Sequence, residues 1–200
     1  MIAFVNGILD MKLNGFIIID VEGIGYKIFM SEVAIENLGE VGEKVKIYTH
    51  HHVREDDISL YGFLTMEELN MFELLISVSG VGAKSALSIL ANVEPSAFAL
   101  TVITNDTSKL VKIPGVGAKT AARIVLELKD KLKNQDVVDK KKLVTNKGID
   151  NNGDISEAIS ALQVLGYNRR DIEKVFEQIE VTNMNLEEMI KIGLKYLSRN

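Results

Sequence analysis

The chain repeats one short segment. Ser79-Gly80-Val81-Gly82-Ala83-Lys84-Ser85-Ala86 returns thirty-five residues later as Pro114-Gly115-Val116-Gly117-Ala118-Lys119-Thr120-Ala121. Each copy follows an apolar stretch and opens a helical pattern with small residues in its first turn. Two glycines allow backbone conformations closed to other residues and keep side chains out of a ligand's path. The helix that follows points unpaired N–H groups and a positive dipole end at the same place. Lys84 and Lys119 add a mobile charge at the rim. One copy alone would fit an ordinary turn between helices equally well. Duplication with the lysine and the following Ser or Thr retained favours an anion site.

The kind of anion follows from what the repeat lacks. A phosphate-binding nucleotide loop needs a glycine directly before its lysine and four residues between its glycines, and Ala83 and Ala118 stand in that place. A dinucleotide fingerprint needs a third glycine and a preceding strand, which neither copy has. Two equivalent sites in tandem suit a polymer of regularly spaced phosphates, and contacts made by backbone alone imply no reading of base sequence.

A formal charge of −5 speaks at first against nucleic acid. Its distribution removes the objection: residues 1–64 carry 5 Lys/Arg against 10 Asp/Glu, and residues 65–133 carry 8 against 7. The acid is concentrated in the first third, leaving the middle free to present a basic surface. With no cysteine the chain has neither a disulfide framework nor thiolate-held zinc. MIAFVNGILD lacks the basic start of a signal peptide, and no apolar run reaches the eighteen or so residues of a membrane span. The expectation is a soluble, cytoplasmic protein.

Three periodicities divide the chain. Residues 1–64 read as five strands, Ile2 to Leu9, Phe16 to Val21, Tyr26 to Phe29, Val45 to Val53 and Ile58 to Phe63, with Val45, Ile47 and Thr49 alternating against Lys46, Tyr48 and His50. They suggest a small OB-like β-barrel, with the acidic turn Arg54-Glu55-Asp56-Asp57 joining the last two strands. Residues 65–133 read as all helical, opening on a capping box of Thr65 and Glu68. Residues 134–153 lose the apolar period and read as a flexible linker. Residues 154–200 carry three apolar stripes, with helix starts at Asp154 and at Asn185 with Glu188, and form a small three-helix module. The fold class is therefore α+β and multidomain.

Taken together, the G-V-G-A-K repeat, the strand-rich start with V-R-E-D-D-I-S-L-Y-G-F, and A-L-Q-V-L-G-Y near the end closely resemble the RuvA family, the Holliday-junction-binding subunits of bacterial branch-migration complexes. The resemblance spans the whole chain and weakens only in the linker. It implies an OB-fold, a tandem helix-hairpin-helix domain and a C-terminal three-helix, UBA-like module. It implies that Gly80, Gly82, Lys84, Gly115, Gly117 and Lys119 hold the DNA backbone. Glu55 and Asp56 would be an acidic pin at the centre of a homotetramer, and the resemblance leaves open whether one tetramer or two facing tetramers, an octamer, clamp the DNA. Leu162, Leu165 and Tyr167 would dock the RuvB ATPase motor, and the RuvC resolvase is a further partner. ATP hydrolysis would belong to the motor, leaving this chain without catalytic residues, cofactor or metal.

The pin also has a physical logic of its own. Carboxylates on a rigid hairpin repel phosphates within the roughly 8 Å Debye length of physiological salt. They would penalise duplex laid across the centre and tolerate a junction that is open there. Without the resemblance, the turn reads as a solvated hairpin tip. Two departures stand out: Asp57 adds a third acid, and Ala83 and Ala118 occupy positions where relatives carry Pro or Lys. His50, His51 and His52 are consecutive on a strand and cannot all face one metal. The competing reading, a structure-specific nuclease or glycosylase anchored by the hairpins, needs a carboxylate cluster or a lysine nucleophile in a cleft. A pure protein-interaction adaptor would have no affinity for DNA.

Overall fold

Residues 1–140, 153–179 and 184–197 are described in a computed structural model, without the side chains of 132–140 and of 153. Contacts divide the chain into two units, Met1–Ile76 with Gly82–Asn92, and Ser77–Val81 with Val93–Asn200.

The first unit is built on a closed barrel of β1 (Phe4–Leu13), β2 (Phe16–Val21), β3 (Ile24–Phe29), β4 (Lys44–Val53) and β5 (Ile58–Phe63), in the order β1-β2-β3-β5-β4. All pairs are antiparallel except β3 with β5. Alternation sends Val5, Leu9, Ile17, Ile19, Ile28 and Ile47 inward, each at most 4% exposed. Burying each such side chain contributes about 1.5–3 kcal/mol. Thr49 shares the inward face, and its hydroxyl is satisfied by the Ile2 carbonyl at 2.8 Å.

β1 runs four residues beyond the end expected at Leu9. Pairing with β2 shifts register between Leu9 and Met11, so Asp10 is absorbed as a bulge and the strand continues. A one-turn helix, α1 (Glu32–Glu36), is an element the periodicity did not reveal; Ser31 caps it, accepting from the Ala34 N–H at 3.2 Å. α2 (Met66–Ile76) starts on the expected capping box: Thr65 Oγ1 accepts from the Glu68 N–H at 3.2 Å, and Glu68 Oε2 accepts from the Thr65 N–H at 3.4 Å. α3 (Ala83–Asn92) completes the unit.

The second unit is helical. α4 (Pro95–Thr104) begins on a proline at its first position and ends on Asn105 in the left-handed region, φ 60°. A 3-10 turn (Leu110–Lys112) leads to α5 (Ala118–Lys140), followed by α6 (Gly153–Val164), α7 (Arg169–Gln178) and α8 (Leu186–Leu197). α8 opens on the reciprocal Asn185–Glu188 box, both bonds 2.9 Å. α6 and α8 pack on each other and on α4.

One expectation needs correction. α5 continues to Lys140, into the segment expected from Asn134 on as a linker. Loss of the apolar stripe removes packing, whereas ending a helix takes a breaker, and no Gly or Pro stands between Ala118 and Lys140. The rest of that segment, 141–152, lies outside the described residues.

Candidate nucleic-acid interface

Each repeat folds as a bend followed by a helix start. Gly80 and Gly115 take φ of 83° and 85°, where a side chain is strained. Val81 and Val116 anchor the bends: both are buried, and their N–H groups donate to the carbonyls of Val78 and Ile113 at 3.1 and 3.0 Å. Gly82 and Gly117 serve differently. Neither has a positive φ, and a Cβ on either would meet nothing within 4 Å. The first glycine of each copy thus makes the turn, and the second leaves open space in front of it.

The helical hydrogen bonds begin with Ala86 N–H on the Gly82 carbonyl and Ala121 N–H on the Gly117 carbonyl, both 2.9 Å. Amides of residues 82–85 and 117–120 therefore precede the first bond of their own helix. Ser79, Gly80, Gly82 and Lys84 are exposed, as are Pro114, Gly115, Gly117 and Lys119. The two expected backbone grips thus stand open at the surface, with the dipole end of a helix behind each.

The stretch before the first bend is held by residues the motif did not point to. Glu127 Oε2 of α5 accepts from the Ser79 N–H at 3.2 Å, Arg123 Nη1 donates to the Ser79 carbonyl at 3.3 Å, and Lys131 reaches Ser77. Positions 123, 127 and 131 lie on one helix face, a spacing visible in the sequence whose target was not.

Glu55 and Asp56 occupy the tip between β4 and β5, both exposed. The Arg54 N–H donates to the Asp57 carbonyl at 2.8 Å and closes the turn. Asp57 is a brace: its Oδ2 accepts from the Ser59 hydroxyl at 2.6 Å. Along the β4 arm of the turn, Arg54 Nε donates to His52 Nε2 at 2.8 Å. Burial, then the Arg54 guanidinium, lowers the His52 pKa. His50 shares a face with His52, their rings 5.8 Å apart. Among the described residues no three His, Asp or Glu side chains stand where they could hold a metal ion.

The C-terminal motif lies at the end of α6 and just beyond it. Leu162 and Leu165 are fully buried and Tyr167 is half-buried. The leucines serve the module's own packing: Leu162 lies so close to Gly193 of α8 that a Cβ there would come within 2.6 Å of it. Gly166 and Tyr167 close α6 by donating to the carbonyls of Gln163 and Leu162 at 3.0 and 3.2 Å, a Schellman cap. The two leucines, as folded, therefore offer no surface to a partner.

A closed five-strand barrel followed by two glycine-bend helix starts defines a tandem helix-hairpin-helix protein. Comparison with known sequences agrees: residues 1–62 match the RuvA N terminal domain, 72–130 the SAM-like Helix-hairpin-helix tandem, and 154–198 the RuvA, C-terminal domain. A protein of Acetivibrio thermocellus is 48% identical over 201 residues, covering 100% of both chains. One from Ruminiclostridium cellulolyticum is 44% identical over 199 residues, covering 98% of this chain and 100% of its own. One from Clostridium perfringens is 41% identical over 203 residues, covering 100% of both. All three are named Holliday junction branch migration complex subunit RuvA. The chain belongs to the RuvA family.

Proposed function

We propose that this chain binds four-way DNA junctions through their phosphate backbone, holds them open and planar, and recruits the RuvB ATPase motor for branch migration in recombination and repair. The observation that carries the reading is the matched pair of exposed bends, each with open space before a helix start whose first amides precede its hydrogen-bond ladder. Such a site neutralises phosphates without reading bases. Family membership over the full length supplies the four-way substrate, through the names of the relatives.

Residues 1–64 are the pin-bearing barrel, 65–133 the DNA-binding region and 154–200 the motor-binding module. Gly80, Gly82, Lys84, Gly115, Gly117 and Lys119 take the backbone, while Glu55 and Asp56 repel phosphate at the crossing point. The working form is a cytoplasmic homotetramer, since a four-armed ligand suits a ring offering one copy of the site per arm, and RuvC is a further partner. Because Leu162 and Leu165 are buried, we assign direct contact with the motor to Tyr167 and its surroundings, with the leucines shaping that surface from beneath. The chain is the non-catalytic subunit, and ATP hydrolysis lies in the motor.

Gel-shift titration of a four-way junction against linear duplex of equal length, at equal salt, tests the reading. Preference for the junction is expected; equal affinity would defeat it.

A further inference from the structure

We infer that Glu127 and Arg123 are positioning residues for the first phosphate grip, which takes its DNA-receiving form only while they clasp Ser79; the inference rests on the backbone-grip reading above. Both backbone polar groups of Ser79 are engaged from one helix face: its N–H by Glu127 Oε2 at 3.2 Å, and its carbonyl by Arg123 Nη1 at 3.3 Å. Gly80 follows at once, with its φ of 83°, and a Cβ there would stand 3.5 Å from the same Nη1. The clasp thus fixes the chain on the entry side of the bend.

The second copy provides the internal comparison. Pro114 takes the place of Ser79; it has no N–H to capture, and its ring sets its own φ. Thirty-five residues before Arg123 and Glu127 stand Ser88 and Asn92, which bring no charge. The two bends share their glycine conformation, and they differ at the entry residue: α5 takes the Ser79 N–H in the first, where the second has a ring nitrogen with no hydrogen to give.

Glu127 is the informative member. On charge alone a carboxylate at the rim of an anion site opposes binding. Its placement is intelligible if it acts through the backbone, occupying an amide that would otherwise leave residues 77–81 less constrained. A preorganised grip avoids the ordering cost on binding. Charge and positioning therefore predict opposite signs for its removal.

The test is binding of the full-length chain to a four-way junction over a salt series, comparing wild type with Glu127→Ala, Glu127→Gln, and Glu127→Ala combined with Ser79→Pro. The clasp predicts that Glu127→Ala weakens binding roughly tenfold, the order that one lost charge-assisted hydrogen bond gives. It also lowers the salt slope toward that of Lys84→Ala. Glu127→Gln, whose amide oxygen still accepts from Ser79, keeps wild-type affinity or exceeds it. Ser79→Pro with Glu127→Ala restores binding by installing the second bend's own solution, a rescue that general damage to the fold would not permit. Binding by Glu127→Ala as tight as wild type or tighter, or failure of the proline rescue, overturns the clasp and leaves the functional reading standing. Failure of the wild type to bind the junction overturns both.

Discussion

Gly80 and Gly115, thirty-five residues apart, hold the same left-handed conformation with φ of 83° and 85°, and each is followed two positions on by a glycine with open space where its side chain would be. The division of labour between the glycines makes separable predictions. Gly80→Ala or Gly115→Ala strains the backbone by about 1–2 kcal/mol and lowers the melting temperature along with DNA affinity. Gly82→Ser or Gly117→Ser leaves the melting temperature near wild type, because Ser is a favoured N-cap. Junction affinity still falls, because the new hydroxyl accepts from an amide that the phosphate needs and stands in its path. Thermal unfolding measured beside junction titration separates the two classes.

The acidic tip predicts a change in discrimination rather than in grip. Glu55→Gln with Asp56→Asn removes the repulsion while the turn stays closed by the Arg54–Asp57 backbone bond and the Asp57–Ser59 brace. Affinity for linear duplex should rise by about fivefold per acid, the scale of one close charge pair in water, with a much smaller change for the junction. The ratio of the two dissociation constants is the readout.

His52 predicts a pH dependence of stability. Its folded pKa lies below the ordinary value, through burial and the Arg54 guanidinium, so the unfolded chain binds this proton more readily. Where the unfolded state holds more protons, stability rises with pH. The contribution is intact above the ordinary histidine range and is lost as pH falls from there through the folded pKa. Denaturant unfolding at pH 8 and pH 5.5 should show a larger acid loss in wild type than in His52→Gln.

Much of this architecture was legible because local rules and tertiary packing agree. Alternation around Ile47 and Thr49 marked a strand with one buried face, and the Thr65–Glu68 and Asn185–Glu188 boxes marked helix starts that the structure reproduces bond for bond. Asp10 hid the end of β1 because a bulge lets a polar residue sit inside a strand without breaking it. α1 is too short, at five residues, to show a period.

At the site, the glycines were legible because their chemistry is local. The Ser79 clasp was not, since it joins residues 44 and 48 positions apart and no short motif spans that distance. Leu162 and Leu165 show a different limit of sequence reading: their burial could not be told from their type. An apolar motif that resembles a family's contact surface is here taken up by helix packing and a Schellman cap, which require the same residue types.

The central claim is that the main-chain amides after each bend receive the phosphates, and amide chemical-shift mapping of the full-length chain tests it most directly. On titration with a four-way junction, the resonances of residues 82–85 and 117–120 should shift in both copies, and should return as salt displaces the DNA. Tight junction binding that leaves both sets of amides unmoved would contradict the account.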